Sequence, residues 1–116
     1  MLRLMIVDDE QIIREALSSM IDYTSLGYEV IATAKNGMEA YDRIRDDYPD
    51  VVITDIKMPI LNGLELIERA SRIDSRITFI LLSGYGEFEY AKQAMKYGVR
   101  YYLLKPTDLS LIHISE

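Results

Sequence analysis

Five apolar runs of strand length alternate along the chain with stretches of helical periodicity, and this alternation is the feature that most constrains the fold. The predicted strands are Leu2 to Val7, Tyr28 to Ala34, Val51 to Thr54, Thr78 to Leu82 and Tyr101 to Leu104. No hairpin turn signal separates neighbouring runs, and three of the runs are almost continuously apolar, as expected for strands covered on both faces. The pattern predicts an α/β fold with a doubly wound, five-stranded parallel sheet.

Each predicted helix presents an apolar face to the sheet. The residues assigned to these faces are Ile12, Ile13, Ala16, Leu17, Met20 and Ile21 in the first helix, Leu64, Ile67 and Ala70 in the third, and Phe88, Ala91, Ala94 and Met95 in the fourth. The second helix is placed near Met38 to Arg45. The joints between segments contain Gly27, Gly37, Gly63 and Gly98, where a turn or a helix end can use positive φ.

Composition narrows the class of protein. The 116 residues fit one domain, and the absence of cysteine excludes disulfides and thiolate chemistry, which is consistent with a reducing cytoplasm. No apolar run approaches the roughly 20 residues that a membrane helix needs. The net charge of -6 and the lack of a basic recognition helix predict no direct nucleic acid binding by these residues. We therefore expect a cytoplasmic domain without a membrane or DNA contact of its own.

Polar side chains follow the predicted strands at their carboxyl ends, where the ligand crevice of a parallel α/β sheet lies. Asp8 and Asp9 follow the first strand, and Asp55 follows the third. Ser83 and Lys105 follow the fourth and fifth. Right-handed crossovers make the first and third strands neighbours, so we expect the three aspartates to converge and to repel one another. Oxygen ligands without a nearby His or Cys predict that Mg²⁺ relieves this repulsion.

Asp55 is then the candidate nucleophile, because a carboxylate oxygen can accept a phosphoryl group. The three phosphoryl oxygens would be neutralised by Mg²⁺, by the Ser83 hydroxyl and by the Lys105 ammonium. Taken alone, Asp8 and Asp9 have another interpretation, since aspartate commonly caps the first turn of a helix.

Four pieces of sequence carry a resemblance to a known family. They are LMIVDDE at the first strand, VVITDIKMPILNGLELI around Asp55, ILLSGYGEFEYAKQAMKYGV through the fourth strand, and YYLLKP at the fifth. In this order and spacing the chain resembles the receiver domain of bacterial two-component response regulators, over residues 1–108. The resemblance implies the flavodoxin-like strand order 2-1-3-4-5. The pieces IDYTSLGYEV and LLSGYGEFEYAKQAM most resemble receivers attached to AraC-type DNA-binding modules.

The resemblance also implies how the metal and the phosphoryl group are held. Asp55 would be the phosphoacceptor, Asp9 a direct Mg²⁺ ligand, and Asp8 a ligand that acts largely through metal-bound water. The main-chain carbonyl of Lys57 would complete the protein ligands. Lys105 stands at the position of the family's lysine, and Pro106 follows it as in the family.

Further residues take switch and flanking positions in this resemblance. Ser83 and Tyr102 stand at the switch hydroxyl and the switch aromatic. Gly84 leaves the approach to the site open. Lys57 and Tyr85 flank the site and are expected to screen the phosphoryl group from water.

The family likeness also implies partners. A sensor histidine kinase would donate the phosphoryl group, and an output domain that regulates transcription is expected to be missing from this chain. A homodimer would form through the face from the fourth helix to the fifth strand. Residues 109–116 alternate apolar and polar residues in a strand-like way. They predict a truncated or non-native tail in place of a full fifth helix.

Three other functions share parts of this pattern. A Mg²⁺-dependent aspartyl-phosphate phosphatase would also use a carboxylate nucleophile, but it usually has an acid where Lys57 stands. A flavodoxin-like cofactor binder would need a phosphate loop rich in glycine or hydroxyls after the first strand. A receiver-like interaction module would not need phosphate at all. On the receiver interpretation the chain is a phosphoacceptor that catalyses only its own phosphotransfer and slow dephosphorylation, and is not an enzyme.

Overall fold

The computed structural model describes residues 1–19, 21–84, 88–97, 99 and 101–104; at residues 83, 88, 90, 91 and 101–104 it describes the backbone and not the side chain. The strands are β1 (Leu2–Val7), β2 (Tyr28–Ala34), β3 (Val51–Asp55), β4 (Thr78–Ser83) and β5 (Tyr101–Leu104). The helices are α1 (Gln11–Ser19), α2 (Gly37–Asp47), α3 (Gly63–Ile73) and α4 (Phe88–Met95), with a 3-10 turn at Thr24–Leu26.

The five strands form one parallel sheet in the order β2-β1-β3-β4-β5. This confirms the α/β fold and the strand order that the sequence resemblance implied. β3 and β4 each extend one residue beyond their predicted ends, to Asp55 and Ser83. β3 lies between β1 and β4, so its carboxyl end is enclosed by both neighbours. The predicted acceptor therefore lies at a central strand of the sheet.

Alternating side chains of the central strands build a separate core on each face of the sheet. Met5 and Val7 pack with the buried residues of α2 and α3, whereas Leu4 and Ile6 pack with Ile13 of α1. This alternation is the two-residue period of a strand that is covered on both faces. Two cores hold β1 and β3 rigidly, and rigid strands fix the positions of the loops at their ends.

The predicted helix faces are mostly correct, with three exceptions. Ile21 lies beyond α1, which ends at Ser19. Ile13 and Leu17 are buried in α1, but Ile12 is 62% exposed. It lies in the first turn of α1, and because side chains tilt toward the helix amino terminus, no preceding turn covers it. Met95, the last residue of α4, is also exposed, whereas Ala94 is buried. Met20 and the side chains at 88 and 91 lie outside the described residues.

Two of the glycines at the predicted joints, Gly37 and Gly63, are needed for close packing and not for positive φ. Gly27 has φ +90, as predicted for a turn. Gly37 and Gly63 have no such φ and instead begin helices, so that part of the prediction is wrong. A Cβ on Gly37 would overlap the Leu61 carbonyl oxygen, and one on Gly63 would overlap the Asp55 carbonyl oxygen. These two glycines allow the loop after β3 to pack tightly against α2 and its own strand.

Candidate functional site

The turn between β1 and α1 carries the first acidic residues of the site. Asp8 is fully buried, and its main-chain N–H donates to the Ala34 carbonyl at 3.1 Å. Its side-chain Oδ1 accepts the Glu10 N–H at 2.9 Å. Because α1 begins only at Gln11, this bond fixes the turn ahead of the helix and does not cap a helical amide. Asp8 therefore stabilises the turn before the helix and is not a helix cap in the sense of the alternative interpretation.

Three carboxylates meet at this turn. One oxygen from each of Asp8, Asp9 and Glu10 lies within 4.8 Å of the others, and the last two side chains are exposed. Glu10 was not among the predicted site residues, although it is the third acid of the DDE sequence at the strand end. The spacing is close enough for the three oxygens to surround one cation, and a buried carboxylate among them increases the repulsion that a cation relieves.

Arg14 supports this turn from α1. Its Nη1 donates to the main-chain carbonyl of Asp8 at 2.7 Å. A guanidinium holds this geometry better than an ammonium because its donors form a rigid fork. The residue also brings a positive charge close to the acidic turn. Nothing in the sequence indicated this role, since an arginine on the polar side of a helix is ordinarily a solvated charge.

Asp55 ends β3 and is 3% exposed. β1 and β3 pair in register up to Val7 and Thr54, so Asp8 and Asp55 are the next residues on adjacent parallel strands. The Oδ1 atom of Asp55 accepts the Ile56 N–H at 2.9 Å. This bond fixes the rotation of the carboxylate. The sheet thus brings Asp55 beside the acidic turn, although its convergence with Asp9 on one ion stays a prediction.

The loop from Ile56 to Asn62 leads from Asp55 to α3 and is closed at both ends. The Gly63 N–H donates to the Ile56 carbonyl at 2.7 Å, and Asn62 forms a reciprocal capping box with Glu65. Lys57 is exposed at the start of this loop. Its position permits the carbonyl role that was predicted for it, which no contact here tests.

Within the same loop the backbone is strained at Ile60. Its φ is 72°, and the Leu61 N–H donates to the Pro59 carbonyl at 2.8 Å across it. A three-residue turn with positive φ at its centre is rare, and a β-branched residue there costs roughly 1–2 kcal/mol. Leu61 is buried, so the strain is maintained by packing on one side of the turn.

The remaining predicted site residues are described only in part. Ser83 ends β4 and pairs with Leu104, and Tyr102 in β5 pairs with Leu81, but their side chains lie outside the description. Gly84 follows Ser83 directly. Lys105, Pro106, Tyr85 and the tail at 109–116 lie outside the described residues, so their predicted roles stay predictions.

The donor set fits Mg²⁺. The group formed by Asp8, Asp9 and Glu10 offers only carboxylate oxygens. The chain has no cysteine, and its single histidine, His113, is far from these residues in sequence. Hard oxygen ligands, few in number and partly exposed to solvent, suit an ion that retains several waters.

Comparison with known proteins agrees with this arrangement. A family model described as the response regulator receiver domain matches residues 4–115. The chain belongs to the response regulator receiver domain family. This family supplies the phosphorylation switch of two-component signalling systems, and receiver domains are signalling domains and not ordinary enzymes.

Individual relatives narrow the kind of receiver. This receiver is 52% identical over 108 residues to the uncharacterized transcriptional regulatory protein YesN of Bacillus subtilis, covering 93% of this chain and 29% of YesN. The solved receiver domain of AraT from Geobacillus stearothermophilus is 38% identical with a TM-score of 0.87, over 98% of this chain and 88% of that one. A two component transcriptional regulator AraC from Clostridium phytofermentans is 34% identical with a TM-score of 0.85, over 99% and 89%. These matches confirm the resemblance to AraC-type regulators.

The receiver spans less than half the length of the curated relatives that it matches. Within the part of the chain that the structure describes, no helix combines the length and the apolar character that crossing a bilayer requires.

Proposed function

We propose that this receiver domain is a switch in which Asp55 accepts a phosphoryl group from a sensor histidine kinase. The observation that carries the proposal is the position of Asp55, which is buried at the end of β3 and adjacent in register to Asp8. A carboxylate there is costly unless a cation offsets the repulsion, and acids kept in such costly positions are characteristic of functional sites. The position of Asp55 and the chemistry of its carboxylate together favour a role as phosphoacceptor over a purely structural role.

Magnesium, when bound, would supply positive charge that stabilises the phosphoryl oxygens as they develop negative charge. Asp9 and Asp55 are proposed as its direct carboxylate ligands, Asp8 as a ligand through water, and the Lys57 carbonyl as a further contact. Glu10 joins this set because its carboxylate lies within 4.8 Å of the other two acids. Arg14 holds the main chain of the turn, so that the acids keep their spacing.

The chemical step is a transfer between two proteins. One oxygen of Asp55 forms a bond to phosphorus as the phosphorus–nitrogen bond of the phosphohistidine breaks, and the bonding electrons leave with the imidazole. The bond from the Ile56 N–H to Oδ1 orients the carboxylate for in-line attack. Lys105 and Ser83 are proposed to neutralise the remaining phosphoryl oxygens. The chain acts as a phosphoacceptor, and its own catalysis is limited to this transfer and to slow autodephosphorylation.

We propose that phosphorylation changes the surface of the domain through movements of the Ser83 and Tyr102 side chains. Modification of Asp55 would draw the Ser83 hydroxyl toward the phosphoryl group and allow Tyr102 to turn inward, which changes the face formed by α4 and β5. The register supports this route, because Asp55 pairs with Leu82, next to Ser83, and β4 pairs in turn with β5. Such a change is a population shift between two states. The altered face is the proposed homodimer surface.

The complete protein is proposed to be a cytoplasmic transcription regulator of the AraC type. In this proposal residues 1–108 form the receiver and a separate output domain contacts DNA. The support is the similarity to YesN, of which this chain covers 29%. The acidic receiver is proposed to make no DNA contact itself, because its net charge is -6.

The test is a mass measurement after incubation with acetyl phosphate and Mg²⁺. The wild-type chain should gain the mass of one phosphoryl group, and Asp55→Asn should gain none. Asp50→Asn is the matched control, since Asp50 is an exposed acid at the opposite edge of the sheet. Full labelling of Asp55→Asn would contradict the proposal. Steady turnover of a phosphomonoester by the wild type would instead support the phosphatase alternative.

A further inference from the structure

Ile60 is an anomaly on the surface of the receiver. It is 77% exposed, and it is a β-branched residue at φ 72°. Glycine or asparagine would adopt this φ with less strain and would expose less apolar surface. The isoleucine side chain is therefore unfavourable for the isolated fold on two counts. Strain of this kind is characteristic of surfaces that contact a ligand or partner.

Ile60 does not stand alone, because it lines one side of a groove whose other side is α2. The groove has a volume of about 480 Å³, and Met38 is the exposed apolar residue on the α2 side. The spacing of the two sides is fixed by the close contact between Gly37 and the Leu61 carbonyl. Ile60 and Met38 thus present two apolar side chains across a preformed groove.

The groove is bordered by acids along α2. Glu39, Asp42 and Asp46 line it, and Arg43 is the one basic residue among the lining residues that the structure describes. Arg43 lies 3.9 Å from Asp47, on the same helix, and such exposed pairs are weak. Asp42 is also paired with an exposed arginine, at 3.3 Å, which a partner's cation can replace. The three acids extend over about 10 Å of helix, because the rise is about 1.5 Å per residue.

We propose that this groove is the docking surface for a basic amphipathic helix of a protein partner. An apolar residue of that helix would lie between Ile60 and Met38, and its lysines or arginines, spaced three or four residues apart, would face Glu39, Asp42 and Asp46. Apolar contact supplies the affinity and charge complementarity supplies the orientation. The proposal goes beyond phosphotransfer and does not depend on it, although the loop that carries Ile60 begins directly after Asp55.

The test uses a synthetic helical peptide of about 18 residues, with leucines on one face flanked by lysines. Titration of the isotope-labelled chain, followed by NMR, should shift the amides of Met38, Ile60 and Leu61. Ile60→Gly should weaken binding at least about tenfold, because it removes the buried aliphatic contact. The same change should raise Tm by about 2–4 °C, because it relieves the positive φ. A residue with only a structural role would not lose binding while gaining stability.

Tyr48→Gly is the matched control. Tyr48 is the other non-glycine residue with positive φ in the described chain, is also largely exposed, and lies at the far end of α2. Its substitution should raise Tm similarly and leave peptide binding unchanged, at the same net charge. Ile60→Leu should retain binding.

Three results would overturn the proposal. The first is equal peptide binding by Ile60→Gly and the wild type. The second is equal binding of a peptide with glutamates in place of the lysines. The third is self-association of the wild-type chain that Ile60→Gly abolishes, because the groove would then hold a second copy and not a basic partner helix.

Discussion

The sheet has a carboxyl edge, where its parallel strands end, and an amino edge, where they begin. Both carry aspartates, but the surroundings of these aspartates differ. At the carboxyl edge, Asp8 and Asp55 are buried on adjacent strands beside two further acids. At the amino edge, Asp50 is exposed and accepts the Arg3 N–H at 2.8 Å. Asp74 is also bonded there, to the main chain and side chain of Arg76. Negative charge is therefore concentrated at the carboxyl edge. At the amino edge each aspartate instead accepts hydrogen bonds from an arginine.

On the proposed function, aspartates serve phosphotransfer at the carboxyl edge and stability at the amino edge. An exposed carboxylate that accepts a main-chain N–H adds a modest net stability. A buried carboxylate near others decreases stability until a cation or a proton compensates for its charge. Substitutions that remove the charge should therefore have effects of opposite kind at the two edges.

The largest expected effect is on phosphorylation. Asp9→Asn should slow Mg²⁺-dependent labelling by acetyl phosphate at least about 100-fold, because it removes a proposed direct ligand of the ion. Asp50→Asn at the amino edge should leave the labelling rate unchanged. The rates are measured by intact mass over time at several Mg²⁺ concentrations. Equal slowing in both variants would remove the distinction between the edges.

A smaller effect is expected on the free energy of unfolding without Mg²⁺, and this effect should have opposite signs at the two edges. Asp55→Asn should raise the free energy of unfolding by about 1 kcal/mol, because it removes one of the clustered charges and keeps the oxygen that accepts the Ile56 N–H. Asp50→Ala should lower it by about 0.5–1 kcal/mol, because the Arg3 N–H loses its acceptor. Urea unfolding measures both. A loss of stability in Asp55→Asn would show that its charge is already compensated in the metal-free fold.

The smallest effect concerns pH at the amino edge. The hydrogen bond from the Arg76 side chain holds the pKa of Asp74 below its ordinary value of 3.8. The unfolded chain then binds more protons than the folded chain between the two pKa values. The bond therefore stabilises the fold fully at pH values above the pKa that Asp74 has in the unfolded chain. This contribution is lost as the pH falls through the lower pKa that Asp74 has in the folded chain.

Asp74→Asn keeps an oxygen for the Arg76 N–H and removes only the charge. It should lower Tm slightly near neutral pH, and the difference from the wild type should shrink as the solution becomes more acidic. The effect is small because Asp74 and Arg76 interact at the surface, where water screens the charges. A difference in Tm that is constant with pH would mean that the charge of Asp74 does not contribute.

Sequence patterns predicted the fold well because the segments with strand-like or helical periodicity form those same elements in the packed structure. The ends of β1, β2 and β5 match the predicted strands, and Asp8 and Asp55 lie at the strand ends where the pattern placed them. The errors have local causes. Ile12 has helical spacing but lies exposed in the first turn of α1, and periodicity does not indicate how much of that turn the core covers.

Other features depended on contacts between distant parts of the chain. The reason for glycine at position 37 is the carbonyl of Leu61, which no local pattern reveals. The bond from Arg14 to the Asp8 carbonyl is invisible for the same reason. Glu10 was within reach of prediction, because a third acid directly follows the aspartate pair.

We propose that Asp9 in the acidic turn after β1 and Asp55 at the end of β3 bind one divalent ion together. Mn²⁺ in place of Mg²⁺ tests this proposal directly, since its binding can be followed by the relaxation of water protons. We expect Asp9→Asn and Asp55→Asn each to weaken Mn²⁺ binding at least about tenfold, because each removes one ligand of the shared ion, whereas Asp50→Asn should leave the affinity unchanged. Mn²⁺ binding by Asp55→Asn as tight as that by the wild type would contradict the proposal.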